Sequence, residues 1–529
     1  MSVPTASDSE RIISGPAMLV DALSRPSAYP HPCQSIRVIE THISWVFLTG
    51  EFAYKLKKPV DFGFVNFSSV ALRHFYCEEE LRLNRRLAPD LYLSVLPVTH
   101  GADGVRVGGM GSAVDHVVCM RQFDQRKLLS HYPDILNSRE SVEDLADRLA
   151  GFHRHATPAP QASRFGDPEE VMQSVRDNFS VLLQAITNTD CCVKHLQQDA
   201  ESEYQRLQPV LAARKQSGMV RECHGDLHLG NMFVEDHQIT VFDGIEFNDD
   251  LRWIDIISDL AFMVMDLQDR GFDVAARRLL NRWLEMTGDY EGPALLPFYC
   301  AYRANVRAKV DVVRMQQPGV TLSHQRHLCS DCTAYLRLAG RYAVRHRPAL
   351  VITTGPSGSG KSRAAQQLTE AADVIRIRSD VERKRLHGLE AAEQSGGVQK
   401  TRLYSADSTA ATYERLEQLA QTIIESGFPV VVDAAFLKHE QRLKFRRLAD
   451  RLCVPFLILD FTTDVNPEVL RDRIARRRSS ARPDASEADE QVLQQQLDHR
   501  DLLSPSELDQ AVSSRETNVT AVTLERLGQ

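Results

Sequence analysis

The segment HGDLHLGN, residues 224–231, places Asp226 two residues after His224 and five before Asn231. A carboxylate and a carboxamide at that interval suit the attack of a hydroxyl on a phosphate: the carboxylate accepts the proton, and the amide oxygen holds a magnesium ion. A further carboxylate is needed at a strand end shortly after, and Asp243 in ITVFDG supplies it. Upstream, EFAYKLKKP offers Lys55 and Lys57 on one face of a strand, where a lysine can hold the α- and β-phosphates. The next helix offers Glu78, Glu79 and Glu80, and Lys55 with Glu80 is the preferred pair.

A second phosphate-handling pattern follows. GPSGSGKS, residues 355–362, matches G-x-x-x-x-G-K-[ST] between the apolar strand ALVITT and the helix RAAQQLTEAA. Gly355, Gly358 and Gly360, interleaved with Pro356, Ser357 and Ser359, let the backbone curl so that its N–H groups face phosphate oxygens. The helix N-terminus adds partial positive charge. Lys361 reaches the β- and γ-phosphates, and Ser362 binds magnesium. IRSDVERKRL is expected to put Asp380 and Arg383 at the end of the second strand, the acid to deprotonate a hydroxyl and the arginine to hold a substrate phosphate. Asp433 closes the strand PVVVD as a further magnesium-site carboxylate. Tyr404 and Tyr413 either line the acceptor pocket or fill the core.

The elements that carry these residues differ between the two halves. Residues 36–60 alternate as strands, 70–88 read as a helix, and VDHVVCMRQF reads as another strand. From about 141 the chain is mostly helical, broken by short strands around HGDLHLGN and QITVFDG. After the basic segment RYAVRHRP (341–348), apolar strands alternate with helices, which implies a parallel sheet with helices on both faces. The final strand is hard to place in NVTAVTLERLG. The expected boundary gives domains 1–345 and 346–529.

HGDLHLGN followed by FDGIEF resembles the aminoglycoside phosphotransferase (choline kinase-like) branch of the protein-kinase fold, over roughly residues 35–340. LADRLAGFHRHA is similar to a helix ahead of that family's catalytic loop, and VVCMRQF resembles its adenine-holding hinge strand. Gly244 stands where protein kinases carry Phe after the metal-binding Asp, and no G-x-G-x-x-G precedes Lys55; THIS (41–44) takes the covering position. The second half, roughly 347–515, resembles small P-loop kinases of the polynucleotide-kinase, gluconate-kinase and zeta-toxin type, often grouped as AAA-like domains. RIARR with DASEA is similar to their lid, which implies Arg473 and Arg477 as ATP contacts. The pairing resembles a bacterial fused protein of these two parts. The implied fold is a bilobal α+β protein-kinase-like domain followed by an α/β P-loop domain.

Composition is that of an ordinary soluble globular protein. The chain has 529 residues, 43% hydrophobic and 25% charged, with a net charge of -8. That acidity argues against a dedicated nucleic-acid binder. The N-terminus has no signal-peptide core, and no apolar run has membrane-spanning length. Ten thinly spread cysteines fit reduced thiols in the cytoplasm. CSDC (329–332) has metal or redox spacing, with ordinary helix cysteines as the default. His224 is expected to orient its loop through backbone contacts, His228 to be a loop residue, and Asp255 and Asp259 to brace the helix beneath. Glu246, Asp249, Asp250, Asp266 and Asp269 are compatible with a polycationic acceptor or with ordinary surface.

The reading is therefore a cytoplasmic, ATP- and Mg2+-dependent phosphotransferase acting on small-molecule hydroxyl groups at two sites. The alternatives are a nucleotide-binding regulatory protein with one inactive domain, or a P-loop polynucleotide 5′-hydroxyl kinase. Neither the acceptors nor the oligomeric state are set by the sequence.

Overall fold

The period-two pattern of FAYKLK decides how the first sheet is faced. In strand β3 (Phe52–Lys57), Tyr54 and Leu56 join the apolar cluster of Leu23, Phe47, Val98 and Val117. Ala53, Lys55 and Lys57 take the other face, where Ala53 packs with Cys77 and Leu81 of helix α1 (Val70–Asn84). Ser69 caps that helix by accepting the N–H of Leu72.

The computed structural model describes residues 15–528 except 64, 102–103, 186–189, 318, 345–346, 392, 394, 396–401, 464–465 and 479–484. The polar N-terminus, the middle of the basic linker and the polar stretch 479–484, expected to belong to a lid, thus lie outside the described residues. Contacts divide the chain into two units. One holds Met1–Ile135, His155–Asp167 and Arg214–Asp259; the other holds Leu136–Arg154, Pro168–Ala213 and Leu260–Gln529.

The first unit is built on a six-stranded antiparallel sheet in the order β1-β2-β3-β6-β4-β5, with β1 Arg37–Glu40, β2 Ser44–Leu48, β4 Tyr92–Gly101, β5 Gly104–Val107 and β6 Ala113–Arg121. The expected strands around the HGD and FDG segments are short: β7 (Val220–Glu222) pairs with β10 (Trp253–Asp255), and β8 (Met232–Glu235) with β9 (Gln238–Val241).

The second unit carries helix α2 (Asp273–Thr287) and a five-stranded parallel sheet in the order β12-β13-β11-β14-β15. Its strands are β11 Leu350–Thr354, β12 Ile375–Arg378, β13 Val430–Asp433, β14 Phe456–Asp460 and β15 Ala511–Ser513. Every residue of β11, β13 and β14 is buried, which is why they read as unbroken apolar runs. NVTAVTLERL, in which the final strand is hard to place, forms a helix, Val519–Leu527, and the C-terminal edge strand is the three-residue β15 before it. One expectation is corrected. Asp380 lies in the first turn of helix α4 (Ser379–Leu386), since β12 ends at Arg378. Helix α3 (Lys361–Ala371) follows the glycine loop, and α5 (Pro467–Arg478) carries the arginine-rich segment. Among the described residues, no helix is long and apolar enough to cross a membrane.

Candidate functional site

The first constellation assembles from β3, α1 and the loops around β8 and β9. Lys55 Nζ lies 2.8 Å from Glu80 Oε1 and 2.6 Å from Asp243 Oδ1. Lys57 Nζ lies 2.6 Å from Glu80 Oε2 and also contacts Glu246. The preferred Lys55–Glu80 pair is present, but Glu80 serves both lysines. Burial works against its ionisation; Lys55 and Lys57 outweigh that and hold the carboxyl at about 2. Lys57 is wholly buried, whereas the Asp243 carboxylate beside Lys55 is 43% exposed, so Lys55 is the lysine nearer open space.

Asp226 and Asn231 meet directly: Asn231 Nδ2 donates to Asp226 Oδ2 at 2.9 Å and to its backbone oxygen at 3.0 Å. That bond fixes the amide so that its oxygen is the atom left for a ligand. The Phe242 N–H donates to the Asn231 carbonyl at 3.0 Å, which ties the strand end carrying Asp243 to the HGD loop. Asp243 has φ 63, a left-handed backbone that is uncommon for any residue but glycine, asparagine or aspartate. Its N–H donates to the Tyr92 hydroxyl at 3.2 Å.

The histidines divide as follows. His224 Nε2 bonds the Phe242 carbonyl at 3.0 Å, and its Nδ1 accepts the Asp226 N–H at 3.3 Å, so it orients the loop as expected. His228 does more than a plain loop residue. Its Nδ1 accepts the Gly230 N–H at 3.0 Å, which leaves Nε2 as the donor, 3.3 Å from Asp226 Oδ2. Asp259 accepts the N–H groups of His224 and Gly225 at 3.0 and 2.9 Å, and Asp255 pairs with Arg214. Of the acids weighed for a polycationic acceptor, Glu246 is turned inward to Lys57, Asp250 pairs with Arg164, and Asp266 is buried beside Arg270.

The second constellation lies at the C-terminal ends of the parallel strands, where open α/β sheets bind ligands. Gly355, Gly358 and Gly360 all have positive φ. A Cβ on Gly355 would sit 2.8 Å from the Phe461 carbonyl oxygen, so only glycine fits there. Lys361 and Ser362 line a cleft of about 680 Å³ with Arg378, Asp380, Arg383, Asp433, Arg473 and Arg477. Lys361 Nζ donates to the Pro356 carbonyl at 2.7 Å, and burial pushes its ammonium down to about 8 against the pull of Asp433 and Asp380. Ser362 Oγ donates to Asp433 Oδ1 at 3.1 Å. Asp433 Oδ2 and Ser359 Oγ are buried without a hydrogen-bond partner. These donors are all oxygen, the ligand type a hard divalent cation takes, and a buried carboxylate oxygen without a partner suits one.

Asp380 pairs with Arg383 at 3.1 Å, and the Arg383 guanidinium lies 4.9 Å from the Tyr404 ring centroid. Tyr404 and Tyr413 both line the cleft; the Tyr413 hydroxyl accepts the Phe436 N–H at 3.0 Å. Arg473 donates to the Gly358 carbonyl at 3.1 Å, and Arg477 to that of Ala488 at 3.3 Å. Gln496, not expected from sequence, accepts the Ser357 N–H at 2.8 Å. Cys329 is exposed and Cys332 buried on the helix Leu322–Tyr342.

Comparison with known proteins finds one family-model match in each half. Residues 75–296 match the family model of the phosphotransferase enzyme family, and residues 350–503 match that of an AAA domain. The pairing expected from sequence, a phosphotransferase-family domain ahead of a P-loop domain, is thereby borne out. Over 446 residues the chain is 28% identical to an uncharacterized protein of Mycobacterium tuberculosis, covering 84% of this chain and 86% of that one. An uncharacterized protein of Mycobacterium bovis matches to the same extent, 28% over 446 residues. Among solved structures, a choline/ethanolamine kinase family protein from Mesorhizobium loti aligns with TM-score 0.36 and 11% identity, over 62% of this chain and 99% of that one. A gluconokinase from Sinorhizobium meliloti aligns with TM-score 0.23 and 22% identity, over 35% and 92%.

Proposed function

We propose that this chain, with its phosphotransferase-family domain ahead of an AAA-type domain, transfers the γ-phosphoryl group of ATP to hydroxyl groups of small molecules at two separate sites. One observation carries the reading. Two buried lysines, Lys55 and Lys361, stand beside separate sets of oxygen donors: Glu80 and Asp243 for the first, Ser362 and Asp433 for the second. In this proposal the first domain is bilobal and protein-kinase-like, and the second is a P-loop fold with a Walker A loop. The chain works in the cytoplasm, where ATP is supplied.

At the first site, Asp226 accepts the proton of the attacking hydroxyl. Asn231 and His228 donate to its carboxylate and hold it in place. Lys55 steadies the α- and β-phosphates, and Glu80 and Asp243 hold Lys55. Lys57 remains bound to Glu80 and Glu246 inside the fold. At the second site, the loop 355–360 and Lys361 receive the phosphates. Asp380 takes the hydroxyl proton, and Arg383 holds an anionic part of the acceptor. Arg473 and Arg477 approach from α5 to counter charge on the moving phosphoryl group. Magnesium would be held by Asn231 and Asp243 at one site and by Ser362 and Asp433 at the other, and it supplies charge neutralisation between phosphate oxygens.

The test is turnover of labelled ATP by the full chain against a panel of sugars, amino alcohols and aminoglycosides. Asp226→Ala is expected to abolish phosphorylation of one acceptor class and Lys361→Ala that of another. Acceptor phosphorylation that survives both changes together would overturn the reading.

A further inference from the structure

Strand β12 is the open edge of the parallel sheet, and helix α2 covers it. Asn281 acts there as a substitute strand: its Oδ1 accepts the Arg376 N–H at 2.8 Å, and its Nδ2 donates to the Val374 carbonyl at 3.1 Å. One turn further along α2, Glu285 meets the two arginines that β12 presents on one face. Arg376 Nη2 lies 3.2 Å from Glu285 Oε2, and Arg378 Nη1 lies 3.0 Å from Oε1. Glu285 is 3% exposed, so both contacts are shielded from water. Helix α2 falls within residues 75–296, the stretch matched to the phosphotransferase family. An acid of that stretch thus grips an arginine that lines the P-loop cleft, within the same compact unit.

Arg378 stands opposite Asp433 in the β12–β13 register. Its Nε is 3.9 Å from Asp433 Oδ2, the buried oxygen without a hydrogen-bond partner. The guanidinium therefore has two carboxylates in reach, and it sits closer to Glu285. A small rotation toward Asp433 would tighten this long ion pair to hydrogen-bonding distance and occupy the oxygen that a cation needs.

We propose that Glu285 is a positioning residue of the P-loop site: by holding Arg378 it keeps the guanidinium off Asp433 and leaves that carboxylate to a divalent cation. The inference rests on the proposed reading of Ser362 and Asp433 as the cation's neighbours. Groups that orient a metal's partners affect affinity strongly even though they never touch the metal.

The probe is Mn2+ with ADP, titrated into the full-length protein and followed by electron paramagnetic resonance. The class of bound Mn2+ removed by Ser362→Ala belongs to the P-loop site; if no class is removed, the reading of that site fails. Glu285→Gln, which keeps the volume and a hydrogen-bonding end, is expected to weaken that class about 10-fold and leave any other class unchanged. Arg378→Met, which removes the competitor, is expected to bind Mn2+ as the unaltered protein does. The double variant Glu285→Gln/Arg378→Met is expected to recover what Glu285→Gln loses. Unchanged binding in Glu285→Gln, or a matching loss in Arg378→Met or in the double variant, would overturn the proposal while leaving the Ser362 result intact. Should Glu285→Gln alone fail to fold, the other two variants decide: full Mn2+ binding supports the proposal and weakened binding ends it.

Discussion

Lys55 Nζ lies 2.6 Å from Asp243 Oδ1, across 188 residues of chain, and the same nitrogen is 2.8 Å from Glu80 Oε1. With Lys57 and Glu246 the contacts form an alternating row, Asp243–Lys55–Glu80–Lys57–Glu246, between sheet, helix and loop. Every charge inside the row has an opposite charge on each side, which is what allows Lys57 and Glu80 to be wholly buried.

The centre of the row is its most sensitive point. Glu80→Gln leaves two buried ammonium groups with one fewer carboxylate, and breaking a buried pair in this way costs about 3 kcal/mol or more. Urea unfolding followed by circular dichroism should show the loss as a lower midpoint. A midpoint equal to that of the unaltered protein would mean that Asp243 and Glu246 alone satisfy the lysines.

At the HGD loop, two side chains donate to one carboxylate with unequal consequence. Asp226→Asn removes the proton acceptor and is expected to slow transfer at the first site by about 10²–10⁴-fold. His228→Ala removes one donor while Asn231 still holds the carboxylate at 2.9 Å, so its effect should be much smaller. Steady-state rates of the two variants with a first-site acceptor check the order; equal losses would place His228 in the chemistry itself.

The parts of this arrangement visible in sequence are those written as short-range spacing. Asp226, Asn231 and Asp243 lie within one loop–hairpin stretch, and the glycine loop lies between an apolar strand and a helix, so local pattern was enough to single them out. The missed residues are partners made by tertiary packing. Glu246 contacts Lys57 across 189 residues, and Gln496 reaches Ser357 across 139. Nothing near either residue in sequence distinguishes it from a surface acid or amide. Residues 511–513 carry no legible signal because three residues are too few to show a period, and the β-branched residues of NVTAVTLERL blur its helical pattern. The role of His228 depends on a tautomer set by a backbone N–H two residues away, a feature of loop shape and not of residue type.

Glu285 makes an acid-limb prediction. Burial opposes its ionisation, but Arg378, Arg376 and Arg282 hold the carboxyl at about 2, below the ordinary 4.5. The unfolded chain therefore binds a proton at this group that the folded chain does not. The stabilisation is complete above pH 4.5 and is lost as pH falls toward 2, with a ceiling on the order of 3 kcal/mol from the size of the shift. Unfolding free energies measured from pH 6 down to the acid transition should fall less steeply in Glu285→Gln than in the unaltered protein. Parallel slopes would show that other carboxylates carry the acid sensitivity.

Gly355 ties backbone shape to ligand capacity. Its φ of 144 is a conformation that side-chain-bearing residues rarely take, and an added Cβ would lie 2.8 Å from the Phe461 carbonyl oxygen and 2.9 Å from its Cβ. The contact is with backbone, so no side-chain rotation relieves it, and β11 and β14 are pinned in register by their pairing. Gly355→Ala must therefore either shift the loop that precedes Lys361 or strain it by about 1–3 kcal/mol. In both cases the N–H groups and Lys361 no longer converge on one anion. Calorimetric titration of the full chain with ADP should lose the binding event that Lys361→Ala also removes, while Gly50→Ala, at a positive-φ turn with open space around it, should keep it. Retained ADP binding in Gly355→Ala would show that the glycine loop is not where the phosphates sit.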